Sequence, residues 1–172
     1  MQKSKGFTLL ELMVTLTIFL VLVSVGLPQM SSWISANQMD SRVSSIAGML
    51  RSARSEALTR NNTVTLATGG NSQDWANSIT MYTDTSGGNN PFNSAEGDVE
   101  IRIIDLTTDQ VTINGNTVAG EYISFSSNGR LDGTGDAIIE VCNGSNTQGG
   151  QTISVNIVGR VSISEGVTDC TP

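Results

Sequence analysis

The sequence contains no histidine, so the commonest general base and the commonest transition-metal ligand are both missing. Aromatic residues make up only 5% of the chain, too few to line a large apolar pocket. Lysine occurs only at Lys3 and Lys5, so the many Ser and Thr hydroxyls downstream have no nearby base to activate them. A catalytic triad is excluded by composition, and the expected class is not an enzyme. No cofactor is expected.

Cysteine is almost absent as well. Cys142 and Cys170 stand 28 residues apart near the C-terminus, without the further ligands that a metal site needs. A disulfide suits an exported domain, and two unrelated buried thiols are the alternative. Asp132-Gly133-Thr134-Gly135-Asp136 brings two carboxylates together across a glycine-rich turn, but it lacks the ligand pattern of a calcium loop, and a plain hairpin loop is expected. Asp84-Thr85-Ser86-Gly87-Gly88 reads the same way. No metal is expected. Beyond residue 6, seven arginines face sixteen acidic residues, a balance of −9. Such an exterior is soluble and disfavours generic binding to polyphosphate.

What the chain does have is one long apolar run. From Phe7 to Leu27 the only charged side chain is Glu11. As a helix this stretch would be about 31 Å long, enough to cross the hydrocarbon core of a bilayer. Lys3 and Lys5 would hold the leader on the cytoplasmic side and send the rest of the chain across. An ordinary secretory signal would end in a small-residue cleavage site, but the run ends in Gly26-Leu27-Pro28. A carboxylate at membrane depth is costly and marks a functional position. An unpaired Glu11 in lipid seeks a cation to neutralise it.

Pro28 is expected to kink or locally melt the helix. Helical periodicity then resumes, with Met39, Val43, Ile46, Leu50, Ala53 and Ala57 on one stripe and Arg42, Arg51, Arg54 and Glu56 largely off it. Asn61-Asn62 ends the helix, with Arg60 in its last turn. The remainder reads as eight strands: 63–67, 78–83, 99–105, 110–113, 121–126, 137–142, 151–158 and 160–164. Asn114-Gly115 and Asn128-Gly129 have the composition of hairpin turns. Residues 68–75, 86–98 and 143–150 read as polar loops. Trp33 is expected near the membrane surface or a subunit seam, and Trp75 is expected to fold its ring over a sheet rather than stand exposed.

Gly6-Phe7-Thr8-Leu9-Leu10-Glu11-Leu12 resembles the leader junction of type IV pilins and type II secretion pseudopilins. Further on, the segments 54–61, 123–130 and Val158-Gly159-Arg160-Val161 are similar to the GspH/FimT family of minor pilins and pseudopilins. The resemblance implies cleavage after Gly6 by a prepilin peptidase, N-methylation of Phe7, and alignment of neighbouring subunits through Glu11. It implies an α+β pilin fold, a long N-terminal helix packed on antiparallel sheets. The expected organisation is leader 1–6, transmembrane and assembly helix 7–27, second helical half 28–62, and a β-rich domain 63–172.

The expected partners are other pilins through the helix, the peptidase and inner-membrane lipid. The expected location is the inner membrane, then the fibre. Some relatives active in DNA uptake carry Gly-Arg-x-Arg; here Gly159-Arg160-Val161-Ser162 keeps one arginine, so a DNA contact at Arg160 is disfavoured. A minor type IV pilin is the leading expectation. A type II secretion pseudopilin comes second, and a tip-displayed adhesin or DNA-binding module is the alternative from another class.

Overall fold

The computed structural model describes residues 6–69, 75–88, 91–106, 111–116, 118–143, 146–168 and 170, without the side chains of 25–32, 143 and 146–148. One helix, α1 (Leu9–Arg60), precedes eight strands: β1 (Val64–Thr68), β2 (Ser78–Thr83), β3 (Val99–Asp105), β4 (Val111–Gly115), β5 (Tyr122–Phe125), β6 (Ala137–Asn143), β7 (Asn146–Val155) and β8 (Val161–Glu165). Residues up to Asn37 form one unit, and Gln38 onwards form a second.

In the second unit the helical stripe is the seed of the core. Met39, Val43, Ile46, Leu50, Ala53 and Ala57 are all buried, joined by Ala47 and Met49. Spacings of three and four place them on one side of the helix, where apolar residues of both sheets meet them in a single cluster. The sheets are four-stranded and antiparallel, ordered β3-β2-β1-β5 and β4-β6-β7-β8. This is the α+β architecture expected.

The chain after β2 folds back against Tyr82. Tyr82 is buried edge-on against Phe92, with ring centroids 5.4 Å apart. Asp84 and Asp98 each collect backbone amides from this segment. Asp84 Oδ1 accepts from the Ser86 and Gly87 amides, both at 3.1 Å, and Asp98 accepts from the Thr85 amide at 3.0 Å and the Asn93 amide at 2.9 Å. Over the other sheet, the C-terminal tail returns to β6, where the Cys142–Cys170 disulfide spans a Cα–Cα distance of 5.8 Å.

Three expectations need correction. Asn114-Gly115 is not a turn: both residues belong to β4 and pair with Glu140 and Ile139. The turn lies one residue later, built by Asn116, whose Oδ1 accepts from the Ala119 amide at 2.8 Å and the Ile138 amide at 3.0 Å. Gly115 serves a close approach instead, since a Cβ there would lie 2.7 Å from Trp75 Nε1. Residues 146–150 are not loop but the start of β7, and Asn143 pairs with Asn146. The strand predicted over 151–158 also stops earlier, at Val155, because Asn156–Gly159 make the β7–β8 turn. Trp75 is fully buried and donates from Nε1 to the Gly120 carbonyl at 3.0 Å.

Candidate functional site

The N-terminal unit exposes what the rest of the protein buries. Along α1, Leu9, Leu10, Leu12, Met13, Val14, Leu16, Ile18, Phe19, Leu20, Val21 and Leu22 are all exposed, and Phe7 just ahead of the helix is 78% exposed. The hydroxyls among them do not make this surface polar. Thr15, Thr17 and Ser24 donate back to the carbonyls of Leu12, Met13 and Val21 at 2.7–2.9 Å. An apolar cylinder of this kind is stable only in lipid or against other apolar helices.

Glu11 is the exception on that surface. It sits exposed in the first turn of α1, where the free amide groups of a helix N-terminus favour negative charge. Thr8 opens the helix: its Oγ1 accepts from the Glu11 amide at 3.2 Å and its carbonyl accepts from the Leu12 amide at 3.2 Å. The spacing Thr8-x-x-Glu11 is that of a capping box. Gly6 and Phe7 precede the helix in non-helical backbone. A Cβ at Gly6 would meet nothing within 4 Å. Lys3 and Lys5 lie outside the described residues.

Among the described residues, no helix is long and apolar enough to cross a membrane. The expected span reached Leu27, and its end falls among the residues 25–32 whose side chains are not described. The helix α1 continues through Pro28. Trp33 is 66% exposed in the same unit.

At the end of the domain reached by Arg60, the structure joins segments that are far apart in the chain. Arg54 is half-buried, and its Nε donates to the Gly129 carbonyl at 3.0 Å. Gly159 lies against the same carbonyl, in left-handed backbone at φ 76°. Arg130 and Arg160 follow these glycines on adjoining turns, both exposed. The Arg160 amide donates to Asn156 Oδ1 at 2.8 Å, which closes the β7–β8 turn. Sequence periodicity placed Arg54 off the apolar stripe and missed this role; only the nearby Gly-turn motifs hinted at it.

Elsewhere, burial opposes ionisation of Asp98, yet the hydrogen bonds from Thr85 and Asn93 outweigh it and hold the carboxyl below the usual range. Desolvation, with nearby acids, pushes the Tyr82 phenol well above its ordinary value. Asp132 and Asp136 are exposed, and among the described residues no group of three or more His, Cys, Asp or Glu converges.

The family model described as type II transport protein GspH matches residues 42–159, and the prokaryotic N-terminal methylation motif matches residues 1–27. Among solved structures, the type IV minor pilin FimU of Pseudomonas aeruginosa is similar in two crystal forms. The first is 22% identical, covers 78% of this chain and 96% of that one, and has a TM-score of 0.66. The second is 21% identical over 81% and 99%, with a TM-score of 0.60. The minor pseudopilin EpsH from the type 2 secretion system of Vibrio cholerae is 10% identical over 73% and 94%, with a TM-score of 0.51. These likenesses establish the shared fold. No curated protein matches the chain.

Proposed function

The chain belongs to the GspH family of minor pilins and pseudopilins, and from that membership we propose that it is a minor type IV pilin that primes or joins pilus assembly. The observation that carries the reading is Glu11, the one charge in the apolar, exposed first part of α1, four residues past Phe7.

In this reading a prepilin peptidase cuts after Gly6 and the new Phe7 amine is methylated. The helix is held in the inner membrane by Phe7–Leu27 until assembly, with the β-rich domain in the periplasm. Pro28 supplies a bend between the membrane part and the rest of α1. The chemistry of incorporation is an exchange of apolar surroundings: lipid is replaced by neighbouring helices at little hydrophobic cost. The carboxylate of Glu11 selects the stagger by meeting the Phe7 amine of an adjacent subunit, since any other stagger leaves a charge unpaired among apolar side chains. The protein acts by packing and performs no chemistry of its own.

Membership of the family suits a pilus and a type II secretion machine alike. The cysteine pair and the full set of strands after Gly129 favour the pilus. The test is a clean deletion scored in parallel for surface pili, twitching, DNA uptake and protein secretion. Loss of pili and twitching with intact secretion supports the proposal. Loss of secretion with normal pili overturns it in favour of the pseudopilin. The display of a DNA-binding module at the tip is the second reading, which Arg130 and Arg160 on adjoining turns favour and the acidic balance of the chain opposes.

A further inference from the structure

Each four-stranded sheet has two edges, and three of these four edges are closed or guarded. The outer side of β5 is taken by its own chain, through the Phe125–Leu131 bridge and the Asp132 amide, which donates to the Ser124 carbonyl at 2.8 Å. On β4, the Ile113 carbonyl accepts from the Trp75 amide at 2.9 Å. β3 carries Glu100 and Arg102 on an edge distorted by the irregularity at Met81/Tyr82. Charges and bulges of this kind are how native sheets prevent strand addition.

β8 has no bulge and carries a charge only at its last residue, Glu165. Val161-Ser162-Ile163-Ser164 is uncharged, and among the described residues it pairs only with β7. The parity of that ladder follows from its two ends. The Asn156 amide donates to the Arg160 carbonyl and the Gly166 amide to the Gly150 carbonyl, so the pairs Ser154–Ser162 and Thr152–Ser164 are the hydrogen-bonded ones. The amides and carbonyls of Val161, Ile163 and Glu165 therefore point away from β7, and among the described residues nothing meets them. Ile163 lies opposite the buried Ile153, yet is itself 42% exposed. The apolar face of the sheet stops one strand short of being covered.

We propose that β8 is a strand-addition site for the edge strand of a different pilin-type subunit, running antiparallel to it. This rests on the assembly reading above. A second copy of the chain cannot supply that strand in the same orientation. Its own β4 and β5 edges are occupied and its β3 edge is charged. Self-pairing of β8 about a twofold axis would use the edge up in a closed, isologous dimer, whereas a fibre grows through heterologous contacts that do not close. The complementary strand carries an apolar side chain opposite Ile163, small or hydroxyl side chains opposite Ser162 and Ser164, an acid beside Arg160 and a base beside Glu165.

The experiment places a photo-crosslinking benzoylphenylalanine at Ser164 in the full chain in its own cells, with a parallel probe at Leu16 on the helix. The expected result is a Ser164 adduct mapping to an extended segment of another protein that carries its own N-terminal methylation motif. Ile163→Pro removes an outward amide and no β7 bond, and Ile163→Lys places a charge on the edge. Each should reduce that adduct about tenfold, the effect of losing about 1.4 kcal/mol, while Ile163→Val leaves it intact and the Leu16 adducts persist. Should Ile163→Pro disturb folding, Ile163→Lys decides. Leu16 adducts without any at Ser164, a Ser164 adduct to a second copy, or one indifferent to both variants overturns the edge assignment. Absence of adducts at both probes overturns the assembly reading itself.

Discussion

Arg54 Nε donates to the carbonyl oxygen of Gly129 at 3.0 Å, tying the last turns of α1 to the turn that follows β5. Gly159 closes the same junction from the β7–β8 turn. The three segments in which the sequence is similar to its family, around residues 54–61, 123–130 and 158–161, thus meet at one point. Their shared demand is close approach of backbone to backbone, with one guanidinium satisfying a carbonyl that the approach would otherwise leave dry.

Gly159→Ala tests that junction. A Cβ would fall on the Gly129 carbonyl oxygen, which is backbone and cannot rotate away, and the φ of 76° is itself unfavourable for alanine. A loss of about 2–4 kcal/mol is expected in urea unfolding of the β-rich domain. A midpoint equal to wild type would show that the two turns separate freely.

Removing the Cys142–Cys170 disulfide, by Cys142→Ser with Cys170→Ser, should cost about 3–4 kcal/mol in the chain-entropy model. The same loss should appear on adding reductant to the wild-type domain, with no effect on the double variant. Equal stability with and without reductant would contradict it.

The acid limb of stability should report Asp98. Its folded pKa is depressed, so its contribution is present above about 4, the unfolded value, and is lost as pH falls. Asp98→Asn should destabilise the domain at neutral pH, with the gap to wild type narrowing towards pH ~2. A gap that is constant with pH would assign the effect to packing rather than to charge.

At the N-terminus, Gly6→Ala is expected to block processing, seen as unprocessed mobility on a gel and an intact leader by mass spectrometry. Glu11→Ala should be processed normally but fail to enter fibres. Normal incorporation of that variant would remove Glu11 from the alignment step.

The soluble domain should give no retardation of duplex DNA at low salt beyond that of an Arg160→Ala variant. One or two exposed arginines replace too few counterions to hold a duplex against the acidic balance of the chain. Salt-sensitive retardation abolished by Arg160→Ala would restore the DNA-binding reading.

Local chemistry made much of this protein legible. The helical stripe from Met39 to Ala57 could be read because a period of 3.6 has one buried side, and every position on it is buried. The strands at 78–83 and 99–105 were read to the residue, helped by β-branched composition and flanking turns. Glu11 announced itself as the one charge in an apolar run. Other features depended on partners distant in the chain. Asn114-Gly115 looks like a turn until β6 pairs with it, and Asn146 looks like loop until Asn143 of the same strand pairs with it. The fates of Trp75, of Arg54 and of the open β8 edge were likewise invisible in order of residues. Periodicity, caps and solitary charges are properties of neighbours along the chain, whereas backbone pairing and carbonyl satisfaction arise only when the fold brings distant segments within a hydrogen bond of each other.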